Sequence, residues 1–117
     1  MRAVVLDPAA IDRLVLAFGH EGRGVVAELV ATFLAEAPSR LDALRRGVAS
    51  GDPREVHRAA HTLKSGAATL GASELAAVCR EVEALGGAGD VAGAAALVPA
   101  VEAGYDLARQ ALLEAVG

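Results

Sequence analysis

The chain has little of what would cross-link it, anchor it or carry it onto nucleic acid. Cys79 is its one cysteine, which excludes an internal disulfide and a multi-cysteine metal site and agrees with a reducing compartment. The simplest use of such a residue is a buried core thiol. Tryptophan is absent, and Phe18, Phe33 and Tyr105 are the only aromatic residues. Positive charge is in deficit: the net charge is -4, with acids and bases interleaved, so no long basic face is available to neutralise a phosphate backbone. Nucleic acid is therefore not an expected partner. No apolar run reaches the roughly 20 residues of a membrane span, because charged residues interrupt every hydrophobic stretch. Met1 to Asp7 has neither the length nor the cleavage pattern of a signal peptide, so the expected location is the cytoplasm, with no membrane partner.

What the chain does have is Ala, Leu and Val. Hydrophobic residues make up 54% of 117 positions, a composition suited to helices packed closely through small side chains. The length fits a single domain, residues 1–117, and is too short for a catalytic and a regulatory domain together. Asp7 and Pro8 form an N-cap and first-turn pair opening a short helix over 8–19, through Ile11, Leu14, Val15 and Phe18. Gly19 to Gly24 reads as a loop; its glycines lack the Walker spacing and any preceding strand. Over 24–50 the apolar positions Leu29, Phe33, Ala37, Leu41, Leu44 and Val48 keep helical phase across Pro38, which predicts one long helix kinked there. Asp52, Pro53 and Glu55 are a cap, a first-turn residue and a capping-box acid, opening a helix over 53–70 that ends at Gly71. Ser73 is expected to cap a helix over 73–86, with Leu75, Val78, Cys79, Val82 and Leu85 inward. Asp90 opens a last helix, 90–115, through Ala94, Val98, Val101, Tyr105, Ala108 and Leu112, with Pro99 as a kink or a later start. The predicted fold class is all-α, an antiparallel up-down four-helix bundle with a short additional N-terminal helix.

At about 100° per residue, Val56, Ala59, Leu63, Ala67 and Leu70 lie within about 60° of the direction opposite His61. They form the buried stripe, so His61 points outward. On its own side lie Arg54, His57, Arg58, Lys64, Ser65 and Ala68, a basic, histidine-bearing face in an acidic chain. A lone helical histidine is ordinarily a satisfied core or surface residue. This one has a lysine one turn onward, small residues beside it and no acid on its own face, which leaves room for a phosphate and charge to hold it. An imidazole is substantially neutral at pH 7 and is a competent nucleophile toward phosphorus.

The run Ala60, His61, Thr62, Leu63, Lys64, Ser65, Gly66, followed by Leu70, Gly71, Ala72 and by Cys79, Val82, Glu83, resembles histidine-containing phosphotransfer (HPt) domains, whose signature includes His-x-Leu-Lys-Gly. The likeness runs from about Leu29 through Leu85 and includes the Phe-Leu-x-x-Ala-Pro segment and the Gly-Asp before the histidine helix. It implies a bundle without kinase or ATPase activity that relays phosphoryl groups between aspartates of response-regulator receiver domains, fed by a hybrid histidine kinase. By position His61 is then the phosphoryl acceptor, Lys64 the phosphate-stabilising lysine, and Glu83 the residue that hydrogen-bonds the imidazole from the next helix. Arg54, His57, Arg58, Ser65 and Ala68 form the expected docking face, with rim residues from the leading helix and from around Phe33. The glycine that usually follows the lysine is Ser65 here, displaced to Gly66, which points toward the bundle. No cofactor of its own is expected; Mg²⁺ belongs to the receiver partner, since the chain clusters too few acids to cage it.

Two other readings compete. His57 and His61 have the i, i+4 spacing that chelates zinc, but the metalloprotease glutamate is missing and neighbouring bases repel a cation. A plain helical adaptor or dimerisation bundle would leave His61 incidental.

Overall fold

The computed structural model describes residues 4–117. Five helices follow one another: α1 (Pro8–Ala17), α2 (Gly22–Ser50), α3 (Pro53–Thr69), α4 (Ser73–Gly87) and α5 (Val91–Val116), with a 3-10 turn, Gly19–Glu21, between the first two. Each starts for a local reason where an aspartate precedes it. Asp7 accepts from Ala9 N at 3.0 Å, Asp52 from Arg54 N and Glu55 N at 3.1 and 3.2 Å, and Asp90 from Gly93 N at 2.8 Å. Gly51, Gly71 and Gly89 close α2, α3 and α4 with positive φ, where a side chain would strain the turn.

Helix α3 packs chiefly on α4 and α2, and α5 closes the bundle against α4 and α2. The core joins Leu41 and Leu44 of α2, Val56, Ala59 and Leu63 of α3, Leu75, Cys79 and Val82 of α4, and Val101 and Tyr105 of α5. A second cluster, Ile11, Val26, Val30, Leu70 and Leu112, seals the end where α1 lies. There Asp7 N donates to Gly71 O at 2.7 Å. A Cβ on Gly71 would stand 2.6 Å from that of Ala10, so the turn also needs glycine for space.

Several local expectations are corrected. The loop does not continue to Gly24: α2 starts at Gly22, where a Cβ would stand 2.0 Å from Val15 O, so glycine there lets α1 fold back closely. Leu29 is 36% exposed, while Val26 and Val30 are buried beneath α1 and the end of α5; nothing covers the side Leu29 occupies. Glu55 does not reach back to its cap. Asp52 N already donates to Gly47 O at 2.8 Å, and the Glu55 carboxylate turns to Arg46, 3.6 Å away. Ser73 is the first helical residue rather than the cap; Ala72 holds that place without a side-chain bond, and the Ser73 hydroxyl donates to Gly71 O. By length and composition alone α5 could cross a bilayer, against the expectation that no stretch could. Its stripe of Ala94, Val101, Tyr105, Ala108 and Leu112 is instead buried in the bundle, and Glu102, Asp106 and Arg109 interrupt the rest.

Helix α2 continues through Pro38, which cannot supply the N–H that the Leu34 carbonyl would take. The hydroxyl of Tyr105, reaching across from α5, donates to that carbonyl at 3.5 Å. Burial raises the Tyr105 pKa, the positive Arg109 lowers it and Asp106 raises it, so the net shift is upward and the O–H donor is retained. Tyr105→Phe is expected to cost about 0.5–1.5 kcal/mol, and measurably less in a Pro38→Ala background that restores a backbone donor. Urea unfolding of the two single variants and the double variant measures the difference.

Candidate functional site

The site is built on the α3–α4 hairpin. Arg54, His57, Arg58, His61, Ser65 and Ala68 are all exposed along one side of α3, with Lys64 half-buried at its edge. The other side, Val56, Ala59, Ala60, Leu63 and Ala67, is buried. The His61 side chain is 57% exposed, so the ring stands in solvent rather than in the core.

A carboxylate reaches it from the neighbouring helix. Glu83 of α4, its side chain 14% exposed, takes a different cation or donor on each oxygen. Oε2 lies 2.6 Å from His61 Nδ1 and Oε1 lies 2.5 Å from Lys64 Nζ. A carboxylate accepts, so Nδ1 carries the hydrogen and the lone pair of neutral His61 is on Nε2. Among the described residues Nε2 has no polar partner. Lys64 is thus not free beside the imidazole; in the resting chain it is committed to Glu83. The Lys64 hydrogen bond holds the Glu83 carboxyl below the usual glutamate range, burial opposes that, and the His61 hydrogen bond adds to it.

His57 sits one turn before His61, its ring 16° from parallel and 6.4 Å away between centroids. Its Nδ1 donates to the backbone carbonyl of Glu83 at 3.0 Å. Glycine makes this approach possible, since a Cβ on Gly86 would stand 2.8 Å from His57 N. An open groove of about 550 Å³ runs beside the two rings between Arg54, Arg58 and Gly87. The zinc reading gains no third ligand: among the described residues no group of three or more His, Cys, Asp or Glu side chains is placed to hold a metal. Cys79 is buried, and desolvation first, then the negative Glu83, pushes its thiol up to about 12, which leaves it inert as a nucleophile.

The exchange of serine and glycine after Lys64 has a packing cause. A Cβ on Gly66 would stand 2.6 Å from the Phe33 ring, whereas Ser65 is exposed and meets no such limit. Phe33, Leu29 and Leu70 line a second groove of about 280 Å³ between α2 and α3. Two features escaped the sequence reading: the pairing of Lys64 with Glu83, and the seating of His57 against Gly86. Both follow from hairpin register, in which residues roughly equidistant from the turn at Leu70–Ser73 come face to face.

The arrangement offers an oriented, solvent-facing imidazole lone pair on a rigid helix, next to a lysine and a groove edged by arginines. The same fold is found in a solved structure. The crystal structure of histidine-containing phosphotransfer protein B (HptB) from Pseudomonas aeruginosa PAO1 superposes with a TM-score of 0.85 at 26% identity, over 98% of this chain and 96% of that one. No curated protein matches the chain. The Hpt domain family matches residues 28–112, a span that contains the whole of α3 and α4, and the chain therefore belongs to the Hpt family of histidine phosphotransfer domains that serve in phosphorelays.

Proposed function

We propose that His61 is the phosphoryl acceptor of this domain and that it exchanges the group with aspartates of response-regulator receiver domains, supplied by a hybrid histidine kinase in the cytoplasm. The observation that carries the reading is the double hold on Glu83, which leaves His61 Nε2 as the unpartnered nucleophilic nitrogen.

Nε2 attacks phosphorus in line with the leaving aspartate oxygen; the N–P bond forms as the P–O bond breaks, through a loose transition state stabilised by positioning and charge. Glu83 keeps the hydrogen on Nδ1 and stabilises the positive charge the ring gains as Nε2 bonds to phosphorus. Lys64 neutralises Glu83 in the resting chain, and its Nζ turns to the phosphoryl oxygens once the dianion arrives. The receiver brings Mg²⁺ and its acidic pocket. Arg54, His57, Arg58, Ser65 and Ala68, with Phe33 and α1 at the rim, form the face on which it docks. Membership of the Hpt family supports a role as a phosphoryl carrier and not as a kinase.

Incubation with a phosphorylated receiver domain should place an acid-labile phosphate on His61, and His61→Gln should slow uptake by at least about 10²-fold without loss of the helical signal. Undiminished transfer to His61→Gln would remove the assignment. Loss of one charge-assisted hydrogen bond of about 1.5–3 kcal/mol predicts that Lys64→Ala slows transfer by roughly 10- to 100-fold; stopped-flow or quenched-flow transfer kinetics read the change.

Because the Glu83 pKa is lowered on folding, its stabilising contribution is complete above the ordinary glutamate pKa of about 4.3 and is lost as pH falls through the depressed folded value. The stability gap between the natural chain and Glu83→Gln should therefore persist from neutral pH to about 5 and shrink below about 4. Denaturant titrations across that range measure it.

A further inference from the structure

The established phosphotransfer chemistry needs one histidine, yet the same face carries two, held alike. His57 is exposed, and its Nδ1 bonds the backbone carbonyl of Glu83 at 3.0 Å. A carbonyl oxygen can only accept, so Nδ1 is the protonated nitrogen and Nε2 of neutral His57 carries the lone pair. One residue therefore orients both imidazoles, His61 through its carboxylate and His57 through its main chain. The rings lie 16° from parallel, with centroids 6.4 Å apart, so the two imidazoles share one stretch of the α3 surface. Beside His57 the groove is edged by Arg54 and Arg58, cations suited to a phosphoryl dianion, and floored by Gly86 and Gly87, which add no side chain to obstruct it.

We propose that His57 is a second phosphoryl-accepting histidine, open to small phosphoryl donors of the phosphoramidate or acyl phosphate class. The inference rests on reading the exposed side of α3 as the phosphoryl-accepting face. With phosphoramidate, the His57 Nε2 lone pair forms the N–P bond while the donor P–N bond breaks and ammonia leaves. The Nδ1 hydrogen stays on the ring, which becomes an imidazolium hydrogen-bonded to the Glu83 carbonyl. A neutral carbonyl stabilises that cation less than the carboxylate facing His61 does. His57 is thus the slower acceptor, by roughly 10²-fold, the lower end of what a positioned charged acid–base partner contributes. A docked receiver presents its phosphoryl group to one imidazole at a time, whereas a small donor reaches both.

The test incubates the full chain, His61→Gln, His57→Gln and the double variant with phosphoramidate, and maps alkali-stable phosphohistidine by mass spectrometry and phosphorus NMR. All four should keep the same helical circular dichroism, since both rings are exposed. Expected are label on both residues of the natural chain, on His57 alone in His61→Gln and on His61 alone in His57→Gln, with none in the double variant. Label on His61 with no label in His61→Gln would overturn the proposal and leave the assignment of His61 standing. Label on His57 but none in His57→Gln would uphold it and overturn that assignment instead. The third histidine, His20, is exposed in the 3-10 turn with no such partner among the described residues. Label on it at the rate found for His57 would show that any exposed imidazole reacts, and would equally overturn the proposal.

Discussion

The close packing of α3 on α4 through small side chains is the constraint on which the rest of the molecule depends. Ala59, Ala60 and Ala67 on one helix and Ala76, Cys79 and Gly86 on the other are all buried, and a Cβ on Gly86 would stand 2.8 Å from His57 N. Small contact residues allow the helix axes to approach, and only a close approach lets a glutamate side chain span from α4 to two residues one turn apart on α3. The Glu83 carboxylate is mostly buried and carries a full charge, so it is sustained only because a cation and a ring N–H take up its two oxygens. Packing and chemistry thus meet in one side chain.

Much of this was legible in the sequence because it obeys short-range rules. The outward direction of His61 followed from five apolar positions at helical spacing, and Val56, Ala59, Leu63, Ala67 and Leu70 are indeed all buried. The aspartate–proline pairs announced the starts of α1 and α3, and Gly71 announced a turn that needs positive φ. Where the reading failed, the deciding partner was remote in the chain. Leu29 and Val26 fit the same periodicity, and only the placement of α1 and the end of α5 decides which of them is covered. Glu55 had the spacing of a capping-box acid, but the carbonyl of Gly47 had already taken the donor it would have served.

Charge pairing across helices was the least accessible feature. Lys64 read as a free cation because nothing on its own helix face opposes it, and its acid stands 19 residues further on. The family resemblance supplied Glu83 as a partner for the imidazole; it did not reveal that the same carboxylate also holds the lysine. A proline in α2 is a similar case. Pro38 read as a kink in one long helix, and that reading did not reveal the vacant carbonyl that a tyrosine from α5 addresses.

Every group that faces the proposed phosphoryl position belongs to a single hairpin, and the turn joining its arms is only a few residues long. Helices α2 and α5 cover this hairpin from behind without contributing an atom to the proposed chemistry. The rim proposed around Phe33 of α2 can therefore diverge between relatives, altering which proteins are recognised, while the proposed reactive nitrogen keeps its bearings. A division of labour of that kind lets one scaffold be rewired to new signalling circuits by changes that never touch the step of transfer itself.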